Sequence, residues 1–378
     1  MIVAVGLTIA AVGEPVNVRD FGAVGDGVHD DSAAIQKALD VQARPLTVLI
    51  PDGVYVVGAT LQVGSATTVR ASSNTVIRLA NGAGKDCHSF VIANRNWSNG
   101  NTHICIEGGI WDGNNAHNRR GGDGNRSSYT GAIANFTCVR NLTLRDMTMR
   151  NPDAYSIRLG EVEDFLVEDI ALDHTVIRPN QDGVHLGGFS KRGVIRRIKA
   201  LHPGTPNDDM IAINADDDTE RCINLGMRCG PISDVTVEDI EAEGAYSFVR
   251  ILSKDSRIEN IAVRRVKGTC RFYAVNLSRW RFPGGSGNIH RVLLEDFNVG
   301  KTCYENWCRA AVDIALRVND VRIRNYVNTG ASGPVLILNT GADNVVQSAS
   351  GGTRTVPSLT LTEKTIDDMR INGTPGAK

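Results

Sequence analysis

Residues 165–214 read FLVEDIALDHTVIRPNQDGVHLGGFSKRGVIRRIKALHPGTPNDDMIAIN, and two phrases within that stretch, QDGVHL and DDMIAI, look like copies of one another. Asp182 stands two residues before Val184, and Asp209 two residues before Ile211. Each copy closes a unit that opens on a short alternating strand (FLVEDIALD, then VIRRIKALH), turns a polar corner and passes through a longer loop. The unit recurs in both directions. NLTLRDMTM…YSIRLG precedes it, and DVTVEDIEAEG…SFVRILS, NIAVRRVKGT…YAVNLS, RVLLEDFNV…AAVDIAL and DVRIRNYVN…PVLILN follow. Ile157 to Val184 is 27 residues, Val184 to Ile211 is 27, and Val249 to Val275 is 26. A fixed period of this size with strands in every unit marks a solenoid whose coils bury one another's apolar edges. The expected fold is therefore all-β, a single-stranded parallel β-helix. A propeller needs four strands and about 40 residues per blade, and no such period is present.

Composition agrees with the repeat. The 378 residues hold 39 glycines, and Val, Ile, Asn and Thr outweigh helix-forming runs, which favours many short strands. Lys plus Arg at 41 against Asp plus Glu at 42 gives no global pull towards nucleic acid or an anionic membrane. The opening MIVAVGLTIAAVG is too short for a membrane span and lacks the basic flank of a signal peptide, so it reads as a first strand covering one end of the core, with a signal-peptide remnant as the lesser alternative. Two close cysteine pairs, Cys222/Cys229 and Cys303/Cys308, could each close a small loop if oxidised, which points to a secreted or periplasmic life. None has the spacing of a zinc ribbon, so no metal site is expected from them. One segment, DDSAAIQKALD (30–40), is helical by its apolar stripe and acidic N-terminus, and it is placed to plug the open end of the solenoid. A single domain follows, with residues 16–60 as N-terminal cap region, 61–341 as coils and 342–378 as a C-terminal tail or cap.

Aligning the third strands of the coils puts Arg158, His185, Ala212, Arg250, Asn276 and Asp313 in one outward-facing column, because matching positions of successive coils lie about 4.8 Å apart. Two residues before each triplet stand Tyr155, Asp182, Asp209, Ser247 and Tyr273. Asp182 and Asp209 thus occupy matching corners, with Asp208 beside them. Carboxylates crowded on one face repel, so one is expected to hold its proton near neutrality and act as an acid while its neighbours activate water. That division of labour is what glycoside hydrolysis needs. Hydrolysis with inversion asks for roughly 6.5–9.5 Å between acid and base, which side chains splayed at a corner can reach. His185 and Arg250 project from the same column as sugar-binding candidates. The polar, glycine-rich stretch 109–131 reads as a functional loop whose Trp111, Arg119 and Arg120 offer stacking and charge. The run Asp216–Asp217–Asp218 reads as a solvated loop, with calcium binding as the lesser alternative.

At this point the residues resemble a known group. VNVRDFGAVGDGVHDDSAAIQKALD (16–40) followed by VLIPDGVYVVG (48–58) resembles the opening of pectin-degrading right-handed β-helix proteins, especially glycoside hydrolase family 28, the polygalacturonases and their relatives. Many phage tailspikes share that opening, so it speaks for fold more than activity. GGIWDGN (108–114) is similar to the family's G-x-I-D-G phrase, NQDGVHL (180–186) to N-T-D-G, NDDMIAI (207–213) to G-D-D-C-I-A-I, and FVRIL (248–252) to G-V-R-I-K. The resemblance implies a right-handed coil, Asp209 as general acid, Asp182 and Asp208 as the pair that activates water, and Arg250 as a substrate-binding arginine. Two positions depart from the pattern. Leu252 stands where the family has a lysine, so the ammonium that grips a uronate is absent unless Lys254 substitutes. The family's G-H-G-I-S-I-G has RCINLGMRCG (221–230) as its nearest phrase, with Arg221 in the place of the histidine.

The leading expectation is a secreted inverting glycoside hydrolase that cleaves an O-glycosidic bond in a pectic or other plant or microbial polysaccharide, as a monomer and without cofactor. Nucleic acid and membrane are not expected partners. One alternative is a polysaccharide lyase on the same fold, with calcium on the Asp cluster and Arg250 as base. The other is a tailspike or adhesin that binds glycans without turnover.

Overall fold

The computed structural model describes residues 14–278, 282 and 284–373. The opening apolar stretch, expected to be a strand, lies outside the described residues. The chain winds as a parallel β-helix with three strand columns. Strands 101–107, then the first halves of Val139–Arg150, Glu163–Asp173, Lys191–Ala200 and their successors, build one face. The second halves of the same strands build another. The third face runs through Ala134–Thr137, Ile157–Gly160, Val184–Gly187, Asp209–Asn214 and the C-terminal ends of Ile232–Leu252 and Ile258–Ser278. Its register joins Ile157 to Val184, Val184 to Ile211 and Val249 to Val275, which are the sequence periods. Inside, stacked Ile, Val and Leu from all three faces form one continuous apolar core.

Corners between the first two faces each turn on one left-handed residue: Asp169, Arg197, Asp239 and Arg265 have φ of 54°, 54°, 58° and 52°. Asp tolerates that region through local hydrogen bonding, whereas Arg does so at some cost. Acid and base alternate down this corner, and Arg197 and Arg265 each fork onto the aspartate of the preceding coil.

Both ends of the solenoid are closed. The helix Ser32–Leu39 buries Ile35, Ala38 and Leu39 against the first coil, as its stripe requires. Asp31 does not cap it through its side chain; that carboxylate accepts instead from the N–H groups of Val24 and Gly25 at 2.7 and 3.1 Å. Parallel rungs already run through Val16–Asn17 and Val54–Val57, so the N-terminal region contributes coil as well as cap. At the other end, Leu359–Leu361 and Thr365–Gly373 pair antiparallel to the last strands and cover their open edges.

All eight cysteines are free thiols, Cys222 and Cys308 buried and Cys229 and Cys303 exposed. Neither close pair, Cys222/Cys229 nor Cys303/Cys308, is bridged in this structure.

Candidate active site

Column register delivers the acids. Ala212 pairs with both His185 and Arg250, Arg250 with Asn276, and Asn276 with Asp313. At the preceding corner the Ser156 N–H donates to the Asp182 carbonyl at 2.9 Å, and the Gly183 N–H to the Asp209 carbonyl at 3.0 Å, so the two aspartates sit on successive rungs. Gly183 makes this approach possible: a Cβ there would lie 2.4 Å from the Met210 carbonyl oxygen. One oxygen from each of Asp182, Asp208 and Asp209 lies within 4.8 Å of the others. That is tighter than the inverting separation expected, because the three side chains converge on one point of the floor instead of splaying. A single water making two hydrogen bonds of about 2.8 Å bridges acceptors so spaced.

The cluster floors a cleft of ≈ 680 Å³. Asp182 and Asp209 are buried and Asp208 is half-buried. Burial, more than any neighbour, raises the Asp209 carboxyl well above the usual range; the Arg250 charge opposes this and the Asp208 and Asp182 charges add to it. Its Oδ1 is buried without a hydrogen-bond partner, while Oδ2 faces the Arg250 guanidinium at 3.1 Å in an ion pair whose angle is poor for a hydrogen bond. Burial likewise raises Asp182, to about 6, against a hydrogen bond from His185. Burial also works against the Arg250 charge, but Asp209, Asp208 and Asp182 outweigh it and hold the guanidinium firmly protonated.

His185 is not free to hold a sugar by its nitrogens. Nδ1 lies 2.8 Å from Asp182 and Nε2 2.9 Å from Asp217, and the ring stacks on Tyr155 at 4.0 Å. Arg221 lines the cleft but acts through a neighbour. With Arg120 it donates to the Asn180 side-chain oxygen, at 3.2 and 2.8 Å, which leaves the Asn180 amide to donate to Asp208 at 3.1 Å. Arg120 itself does not line the cleft; it ties the 113–133 loop to Asn180 and Pro179. Arg119 is exposed and outside the lining.

Two expectations need outright correction. Trp111 is no stacking platform: it is 0 % exposed in the apolar core, its indole N–H donating to the Gly108 carbonyl. Lys254 does not reach the cleft; its ammonium sits 5.7 Å over the Phe282 ring, and that ring lines the cleft in its place. The 216–218 run also differs from a solvated loop. Asp216 is buried and accepts from the backbone of Lys254, Asp255 and Ser256, and Asp217 is buried on His185. Sequence reasoning missed the aromatic wall of Tyr246, Phe272, Tyr273 and Trp307, where Phe272 lies 4.5 Å from Tyr246 and 4.8 Å from Trp307. Tyr273 stood in the same column as Asp182 and Asp209; nothing in the sequence marked Trp307.

Among the described residues, Asp182, Asp208 and Asp209 are the group whose oxygens converge closely enough for a metal. The surroundings do not suit one. Calcium takes six to eight oxygen ligands, and here the Arg250 guanidinium and the His185 ring already occupy contacts of Asp209 and Asp182.

A family model described as rhamnogalacturonase A/epimerase, pectate lyase-like, matches residues 15–183. An exopolygalacturonase of Arabidopsis thaliana is 24% identical over 353 residues, covering 85% of this chain and 72% of that protein. Plasmin and fibronectin-binding protein A of Streptococcus pneumoniae is 30% identical over 174 residues, covering 41% of this chain and 23% of that protein. The family 28 exopolygalacturonase of Yersinia enterocolitica has the same fold, with a TM-score of 0.54, 18% identity, and coverage of 82% of this chain and 72% of that one. The chain is a right-handed parallel β-helix protein of the pectin-lyase-like fold. Within that class it is similar, at low identity, to exopolygalacturonases.

Proposed function

We propose that this protein is a glycoside hydrolase, secreted or periplasmic, that cleaves an O-glycosidic bond of a polysaccharide or oligosaccharide bound along the cleft. The observation that carries the reading is the convergence of three carboxylates from adjacent rungs, with Asp209 held protonated by burial and Asp182 raised only to about 6. Asp209 donates its proton to the leaving oxygen. Asp182 and Asp208 hold the attacking water between them and take its proton. Direct attack by that water, with no covalent sugar intermediate, inverts the anomeric carbon; the 4.8 Å is a distance between nearest oxygens, shorter than the separation of the carboxyl groups themselves. The Arg250 charge stabilises Asp209 as a carboxylate once the proton has left. The aromatic wall offers faces for sugar rings to stack on.

A lyase reading asks Arg250 to act as base, and the three aspartates oppose loss of its proton. A binding role without turnover draws its support from the similarity to the plasmin and fibronectin-binding protein. A screen of polysaccharides for new reducing ends separates the three. The hydrolase reading expects release by the wild type, none by Asp209→Asn, no ultraviolet-absorbing unsaturated product, and no effect of a chelator. Release that persists in Asp209→Asn, or no release from any glycan, refutes it.

A further inference from the structure

We propose that Asp217 and His185 form a buried relay that fixes the charge and orientation of Asp182, acting as positioning residues for the carboxylate that holds the attacking water. The role assigned to the relay rests on the hydrolase reading; its existence does not. Asp217, His185 and Asp182 are 7%, 1% and 4% exposed and form an unbroken hydrogen-bonded chain, 2.9 Å from Asp217 Oδ2 to Nε2 and 2.8 Å from Nδ1 to Asp182 Oδ2. A neutral imidazole has one N–H and can donate to only one of two carboxylates. Only the imidazolium satisfies both, and it places a full positive charge between two negative ones where water is excluded. The electrostatics run the same way: burial disfavours the imidazolium, but Asp217 and Asp182 together outweigh it and hold His185 protonated to about 10.

The geometry is locked on every side. Tyr155 stacks on the ring at an interplanar angle of 15° and is itself held by its hydroxyl donating to the Asn224 side-chain oxygen at 2.8 Å. Asp217 is oriented by the Asn214 amide, which donates to Oδ1 at 3.1 Å, and its carbonyl lies 3.2 Å from the Cys229 sulfur. The Arg158 guanidinium is the further cation that feels the Asp217 charge. Asp182 faces His185, Asp208 and Arg250, and Asp209 is coupled to it through the shared cluster. Remove the Asp217 charge, and the buried imidazolium loses its stronger partner and releases its proton. Asp182 then keeps Arg250 and Arg221 as favourable charges against burial and Asp208, and without the imidazolium it holds its own proton to higher pH, so fewer molecules carry the base form.

Imidazole nitrogen NMR on the full-length protein labelled with [15N]histidine, with the His185 signals assigned by their loss in His185→Gln, tests this directly. Both His185 nitrogens should carry protons through about pH 8 in the wild type. In Asp217→Asn the titration should move down by about three pH units or more, a roughly thousandfold loss of proton affinity that leaves the ring largely neutral at pH 7. A neutral His185 at pH 7 in the wild type, or an unmoved titration in Asp217→Asn, overturns the relay. On the polysaccharide that gives turnover in the screen above, Asp217→Asn should shift the acid limb of kcat upward by about one pH unit and leave KM unchanged. A uniform drop at every pH would reject the positioning role. A screen without turnover would remove the hydrolase reading while the titration still decides whether the relay exists.

Discussion

Asp182 and Asp209 are the same residue type on successive rungs, yet their surroundings separate them: His185 donates a hydrogen bond to one, and the other has an unpartnered buried oxygen. Asp209→Asn should therefore lower turnover by about 10⁴-fold, the upper end of the usual worth of a general acid, which takes release below detection in the screen, with an unchanged circular dichroism spectrum. The rate should also fall as pH drops through about 6, where Asp182 takes a proton; a profile flat down to pH 4 would contradict that assignment. Stability has its own pH signature. His185 has a folded pKa raised from 6.5 to about 10, so its contribution is fully present below 6.5 and is lost as pH rises towards 10. Melting temperature should decline between pH 7 and 10 in the wild type, and His185→Gln should remove most of that slope. The acid triad was legible in the sequence because register alone places it. The relay was not, since Asp216, Asp217 and Asp218 are indistinguishable in NADDDTE until the turn at 254–256 claims one and His185 another.

Elements were legible in proportion to their length. The long alternating strands declare which residues point inward, because a slip of one residue would turn every apolar side chain outward. Ile110–Asp112 is too short for alternation to show, and its polar flanks hid an inward tryptophan. Gly108 sets up that strand with a φ of +78° and a Cβ position only 2.1 Å from the Ala71 carbonyl oxygen, so the phrase GGIWDGN is a packing signature here. Trp111→Ala should cost about 3–5 kcal/mol in denaturant unfolding, the usual loss for a buried large aromatic; an effect below 1 kcal/mol would return Trp111 to the surface. The alternating Asp–Arg corner is a weaker contributor, because its pairs are well exposed and screened by salt.

At the scale of the whole molecule, coils of 27, 27, 38 and 26 residues between the paired positions Ile157, Val184, Ile211, Val249 and Val275 keep one register, the register stacks corners, and stacked corners gather acids that lie far apart in sequence. A repeat encodes this because every coil meets the same packing demand. In the wall, Tyr246 and Phe272 stand on the strands Ile232–Leu252 and Ile258–Ser278 beside a break in their register, and Trp307 comes from a turn, so no period marks them. The ends matter as much as the middle: Leu39→Asp, which places a charge in the helix that covers the first coil, should produce concentration-dependent association in light scattering. The central claim is that a water poised on Asp182 and Asp208 displaces a leaving group protonated by Asp209. Proton NMR of the sugar first released from a cleaved glycan tests it most directly. The account predicts a saturated reducing end of inverted anomeric configuration, absent with Asp209→Asn. A retained anomer, an unsaturated end, or the same product from the variant would contradict it.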